Sequence, residues 1–194
     1  MATQKPLKFI HVAKNAGSSI EQIGKEHGLL WGVHDPEYIG DGKQMTLMSR
    51  HLIPSKLSPD YLSKYDFFMV VRNPYTRALS QTLFSYRVST TELLNRNLKF
   101  LNLARYPDGG ITTEQYKYIV PGVHILHFEN LEAEFNALMI EYGLPARLTK
   151  HLNKSHNDNG LTVSDFDEAA LQSIRNNYAK DFELFGYSYD VPAE

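Results

Sequence analysis

The chain has 194 residues, a formal net charge of −2 and no cysteine, with 42% hydrophobic and 22% charged residues. That length supports one well-buried domain rather than two large ones, and the near balance of charge offers no global attraction to nucleic acid, so an anionic ligand has to be caught locally. Without cysteine there are no disulfides, thiolate zinc sites or cysteine nucleophiles, and no window approaches the roughly 20 apolar residues of a membrane span; a single soluble, cytoplasmic domain over 1–194 is expected, with a truncated lumenal domain left open.

In chain order, KFIHV (8–12), FFMVVR (67–72) and HILHF (124–128) have the length and the β-branched or aromatic content of buried strands, and MTLMS (45–49) is a weaker candidate. Helix starts are marked by Ser58 before Pro59 and Asp60, by Asn73 before Pro74, by Thr112 with Gln115 three residues on, and by Ser164 with Asp167 three residues on. The segment 131–144 places Leu131, Phe135, Leu138 and Tyr142 on one face and stops at Gly143 and Pro145, and 168–187 does the same with Leu171, Ile174, Tyr178 and Phe182. Strands alternating with helices imply an α/β fold, a central parallel sheet flanked by helices. The stretches 28–44 and 149–164 read as long loops, of the kind that often bind ligands.

Ligands of such sheets bind at the carboxyl ends of the strands. After the first strand comes AKNAGSS, in which Gly17 allows a tight turn, the N–H groups of the next helix face outward, Ser18 and Ser19 add hydroxyls and Lys14 adds a mobile charge: together a phosphate cradle. After the second comes Arg72, then a helix carrying Arg77 and Ser80, and Arg72 with Ser80 can converge on a second anion. A glycine-serine turn is common without a ligand and Arg72 alone can be a salt-bridging residue, but two anion sites on one sheet edge point to a ligand with two phosphates. The lysine stands before the glycine, whereas a nucleotide triphosphatase has it after, in GxxxxGK[ST].

These residues resemble the sulfotransferases that use 3′-phosphoadenosine 5′-phosphosulfate (PAPS), in particular the carbohydrate sulfotransferase branch. The first motif of that family is matched by Lys14-Asn15-Ala16-Gly17-Ser18-Ser19, with Ala13 where proline is usual, and the second by VVRNPYTRALS (70–80) with its arginine-to-serine spacing intact. HILHFENLEAEF, HLNKS and YAKDFELFGY resemble later parts of the family pattern, so the resemblance covers most of the chain. It implies a single domain with the P-loop nucleotide-kinase-like sulfotransferase fold, PAPS as sulfonate donor with adenosine 3′,5′-bisphosphate as product, no metal, and a hydroxyl-bearing acceptor of carbohydrate or glycoconjugate type. Lys14 to Ser19 would hold the 5′-phosphosulfate, Arg72 and Ser80 the 3′-phosphate, and Lys154 in HLNKS a further part of the nucleotide. Lys14 would stabilise charge on the leaving oxygen.

A hydroxyl acceptor needs a base, and His51 in MSRHLIP is the choice because the resemblance places a catalytic histidine between the two motifs; His34 is the runner-up. His11 reads as a packed strand residue, while His151 and His156 flank Lys154 without a third metal ligand. The segment 85–110, with Arg87, Arg96, Lys99 and Arg105 among Tyr86, Phe100 and Tyr106, is a candidate acceptor wall or equally a solvated basic helix face. The absence of an appended domain and anchor points to a bacterial or viral enzyme. Two other classes remain: a P-loop kinase or nucleotide hydrolase, and a non-catalytic nucleotide-binding module on the same fold.

Overall fold

The computed structural model describes residues 4–38, 49–86, 88–100, 112–149 and 160–192. Among the described residues, three parallel strands form the sheet, β1 (Leu7–Ile10), β2 (Asp66–Val71) and β3 (His124–His127), in the order β1-β2-β3 with Phe9 beside Phe68 and Val71 beside His127. The middle strand β2 is apolar along nearly its whole length because both of its faces are covered. The pleat sends alternate residues to opposite sides. Phe68 and Val70 join Phe9 and Leu126 under α1 (Gly17–Glu26) and α5 (Leu131–Glu141), where Trp31 and Phe135 fill the layer. Phe67, Met69 and Val71 face the other way, onto Tyr38, Leu57, Tyr61 of α2 (Pro59–Lys64), Tyr118 and Phe185. A third cluster lies beyond the sheet, where α3 (Pro74–Tyr86), α4 (Thr91–Phe100), α6 (Glu168–Asn177) and α7 (Ala179–Phe185) pack on one another.

The expected α/β class and parallel sheet are therefore present, and so are two of the four expected helix starts. Ser58 Oγ accepts from the Tyr61 N–H at 3.1 Å and Asn73 Oδ1 from the Tyr75 N–H at 2.9 Å, each just before a proline that suits the first helical position. Two expected starts differ. Around Ser164 the capping box is instead made by Thr162 and Asp165 on a short 3-10 turn, and Asp167 is itself the N-cap of α6, accepting from the Ala170 N–H at 2.7 Å. After Thr112 there is only a 3-10 turn, Gln115–Tyr118, and its first N–H groups at Gln115 and Tyr116 are taken by the distant carboxylate of Asp181, at 2.9 Å each. The segment expected as one helix from Glu168 onward breaks at Tyr178 into α6 and α7, and Ile174 and Phe182 both join the third cluster. MTLMS falls outside the described residues except for Ser49, which opens a 3-10 turn ending at His51.

Candidate anion site at the carboxyl edge of the sheet

The loop leaving β1 carries two residues with left-handed backbone, Lys14 at φ 69° and Ala16 at φ 62°, and among the described residues no other non-glycine has positive φ. Such a conformation costs a residue with a Cβ of the order of 1 kcal/mol or more. It alternates the direction of successive peptides, a geometry that turns backbone N–H groups toward one concavity and suits an anion. Among the described residues, no hydrogen bond occupies the N–H groups of Gly17 and Ser18, which begin α1. The glycine of the motif is not the residue that makes the turn, as its position in the sequence suggested. Gly17 is helical, and a Cβ there would lie 2.2 Å from His11 Nε2, so glycine is required by the close approach of a buried ring.

Several struts hold the loop to the rest of the edge. Asn15 is fully buried, and its Nδ2 donates to Val70 O at 2.7 Å and to Gln115 Oε1 at 2.6 Å. The same Gln115 takes the Arg72 N–H at 2.9 Å and returns its Nε2–H to Arg72 O at 2.9 Å, so one side chain joins the ends of β1 and β2. Arg77 is buried and donates from Nε to Ala13 O at 3.1 Å and from NH2 to Thr113 O at 2.9 Å, fixing the carbonyl just before Lys14.

Lys14 and Arg72 then stand side by side. Arg72 NH1 donates to Lys14 O at 3.3 Å and its Nε to Thr76 Oγ1 at 3.0 Å, while its guanidinium lies 4.1 Å from the centre of the Phe128 ring. The Lys14 ammonium lies 3.9 Å from the centre of the Phe84 ring. Neither cation has a carboxylate in ion-pair contact among the described residues; each rests on an aromatic face instead. Burial and the charge of Arg72 bring Lys14 down to about 8, and burial, with Arg77 adding to it, brings Arg72 down to about 10 although Glu129 pulls the other way. Two desolvated, mutually repelling cations beside an outward-facing helix start are electrostatically suited to an anion, because an aromatic ring holds a cation without neutralising it.

On the far side of Gly17 lies a second cluster. His11 Nδ1 is 2.8 Å from Glu21 Oε1, which also accepts the Val33 N–H at 3.1 Å, and Glu21 Oε2 is paired with Arg50. Arg50 NH2 is also 3.5 Å from Ser18 Oγ, the exposed hydroxyl in the first turn of α1. Burial holds His11 below its usual value, so it is neutral; Glu21 stays ionised because the bonds and charges of His11, Arg50 and Val33 outweigh the opposing effect of its burial. His51 abuts this cluster, its ring edge-on to His11 with centres 4.6 Å apart, its Nδ1 3.4 Å from His11 O and its own carbonyl accepting from Tyr118 Oη at 2.8 Å. Burial first, then the neighbouring His11 and Arg50, press His51 down to about 3.

Of the residues singled out from sequence, Lys14, Asn15, Ala16, Gly17, Ser18 and Ser19 form one loop and helix start, with Asn15 and Ser19 turned inward, and Arg72 meets that loop directly. Ser80 lies buried on α3, two turns beyond Arg72, and is already engaged. His34 ends a 3-10 turn, Gly32–His34, with no side-chain bond to Lys14 or Arg72. Lys154, His151, His156, Arg87 and Arg105 lie outside the described residues, and Arg96 is an exposed residue of α4. Four contributors were not expected: Glu21, Arg50, Gln115 and Phe84. Glu21 has a legible signal, a carboxylate on the buried Gly17, Ile20, Glu21, Gly24 stripe of α1, where only a paired charge can reside. Gln115 has none, since its partners are 100 and 43 residues away.

No family model matches the chain, and no solved structure matches it. It is 30% identical over 120 residues to an uncharacterized protein of Archaeoglobus fulgidus, an alignment that covers 58% of this chain and 92% of the archaeal one. The chain belongs to the family of that archaeal protein. Among the described residues, no helix is long and apolar enough to cross a membrane and no group of three histidine or acidic side chains is placed to hold a metal ion.

Proposed function

We propose that the protein is a PAPS-dependent sulfotransferase of the P-loop nucleotide-kinase-like fold, moving a sulfuryl group to a hydroxyl of a carbohydrate or glycoconjugate. The observation that carries this reading is the Lys14–Arg72 pair, two partly buried cations without a carboxylate in ion-pair contact among the described residues, at a loop with two left-handed residues. Unneutralised cations of this kind fit a ligand with separated anionic groups. When bound, the donor supplies the sulfuryl group and departs as adenosine 3′,5′-bisphosphate.

In this scheme the loop N–H groups and Lys14 bind the 5′ end of the donor, and Lys14 stabilises the negative charge that grows on the leaving oxygen. Arg72, fixed by Thr76 and by the Lys14 carbonyl, takes the 3′-phosphate. His51 is the base: its Nδ1 faces the His11 carbonyl, which selects the tautomer with the lone pair on Nε2, and its low value keeps it unprotonated at neutral pH. A group near 3 drives proton removal weakly, and the negative charge of a bound donor raises it toward the useful range.

Calorimetric titration with adenosine 3′,5′-bisphosphate, AMP, and ATP with and without magnesium tests the reading. Tight, magnesium-independent binding that requires the 3′-phosphate is expected, followed by turnover of PAPS with a glycan acceptor that His51→Ala abolishes while donor binding persists. A preference for magnesium-ATP would overturn it in favour of a kinase, and bisphosphate binding with no turnover across acceptors would leave a non-catalytic binding module.

A further inference from the structure

Thr76, Ser80 and Phe84 recur every four residues and so lie along one stripe of α3, the helix that begins beside Arg72. Thr76 holds Arg72, and Phe84, two turns further on, lies under the Lys14 ammonium. Phe84 is 68% exposed, more than any other large apolar side chain among the described residues, so packing does not explain its presence. Among the described residues, its ring contact is with the lysine that the anion loop presents.

We propose that Phe84 is a positioning residue, a parking face that holds the Lys14 side chain beside the anion site and releases it to the ligand. This deepens the proposed function and rests on its anion site, though not on the identity of the donor. The physical ground is a difference in strength. A partly exposed cation–π contact is worth little, whereas an ammonium facing a phosphate or sulfonate forms a charge-assisted hydrogen bond, so an arriving anion takes the lysine from the ring.

The sign of the effect makes the proposal testable. Because the Lys14–Phe84 contact stabilises the empty state, removing it strengthens binding, by about two- to fivefold for an exposed contact of this type. Phe84→Leu keeps apolar bulk and loses the ring, and Phe84→Trp keeps a ring. With adenosine 3′,5′-bisphosphate and inorganic pyrophosphate as calorimetric probes, Phe84→Leu is expected to bind more tightly than the parent, Phe84→Trp no more tightly, and the difference is expected to vanish in a Lys14→Met background. Equal or weaker binding by Phe84→Leu overturns the proposal, as does a difference that survives Lys14→Met. Pyrophosphate binding in the expected order without bisphosphate binding would uphold the parking role while removing the PAPS reading; binding of neither probe removes both.

Discussion

Replacing Gly17 by alanine sets two effects of opposite sign against each other. Gly17 is the first residue of α1, and on propensity alone alanine stabilises a helix by up to about 1 kcal/mol. The added Cβ, however, would lie 2.2 Å from His11 Nε2 and 2.4 Å from both Cδ2 and Cε1. The ring has little freedom to retreat, since it is 3% exposed, bonded to Glu21 and flanked by His51 and Phe9. If the backbone yields, overpacking costs about 1–3 kcal/mol. If the ring yields instead, the Glu21 carboxylate loses a buried partner, at a similar cost of about 1–3 kcal/mol. With the strain shared between the two and the propensity gain subtracted, the net is about 1–2 kcal/mol, or roughly 2–8 °C in Tm for a chain of this size. Urea and thermal denaturation of Gly17→Ala, His11→Ala and the double variant read this directly. The double variant should be less destabilised than the sum of the singles by more than about 1 kcal/mol, because removing the ring removes the clash. A Gly17→Ala protein as stable as the parent would refute the close approach and return Gly17 to the ordinary role of a turn residue.

Other consequences concern charge. Burial and Arg72 bring Lys14 down to about 8, and a bound anion raises it, so bisphosphate binding should take up close to one proton at pH 9 and almost none near pH 7; calorimetry in buffers of different ionisation enthalpy measures the uptake, which Lys14→Met should abolish. Arg72→Ala should weaken bisphosphate binding by roughly 2–5 kcal/mol while sparing AMP, and an equal loss for both nucleotides would take Arg72 out of a 3′-phosphate site. His11 and His51 are both held below their unfolded value, so the unfolded chain binds more protons than the native one as pH falls below about 6.5; stability should decline from there toward the depressed native values, and a His51→Gln variant should show a shallower decline in pH-dependent urea titrations.

Local features whose causes lie within a few residues of each other are readable from the order of residues alone. The apolar runs of the three strands, the Ser58 and Asn73 caps before prolines, the Lys14-to-Ser19 loop and Arg72 at a strand end are all legible because strand burial, helix starts and strand–helix turns depend on short-range sterics and hydrogen bonding. What failed was local reasoning where a distant group decided the outcome. Thr112 carries the local signal of a cap, but Asp181 supplies the cap from α7; the segment after Glu168 is periodic throughout, but the helix breaks at Tyr178. Only the tertiary structure shows that His11 dictates the glycine of the motif, that Glu21 binds His11 and Arg50 together, that Gln115 ties two strand ends, and that both exposed-edge cations rest on rings. Burial, desolvation and the charge of neighbours set those properties, and they belong to a residue's surroundings in space, which the order of residues along the chain does not display.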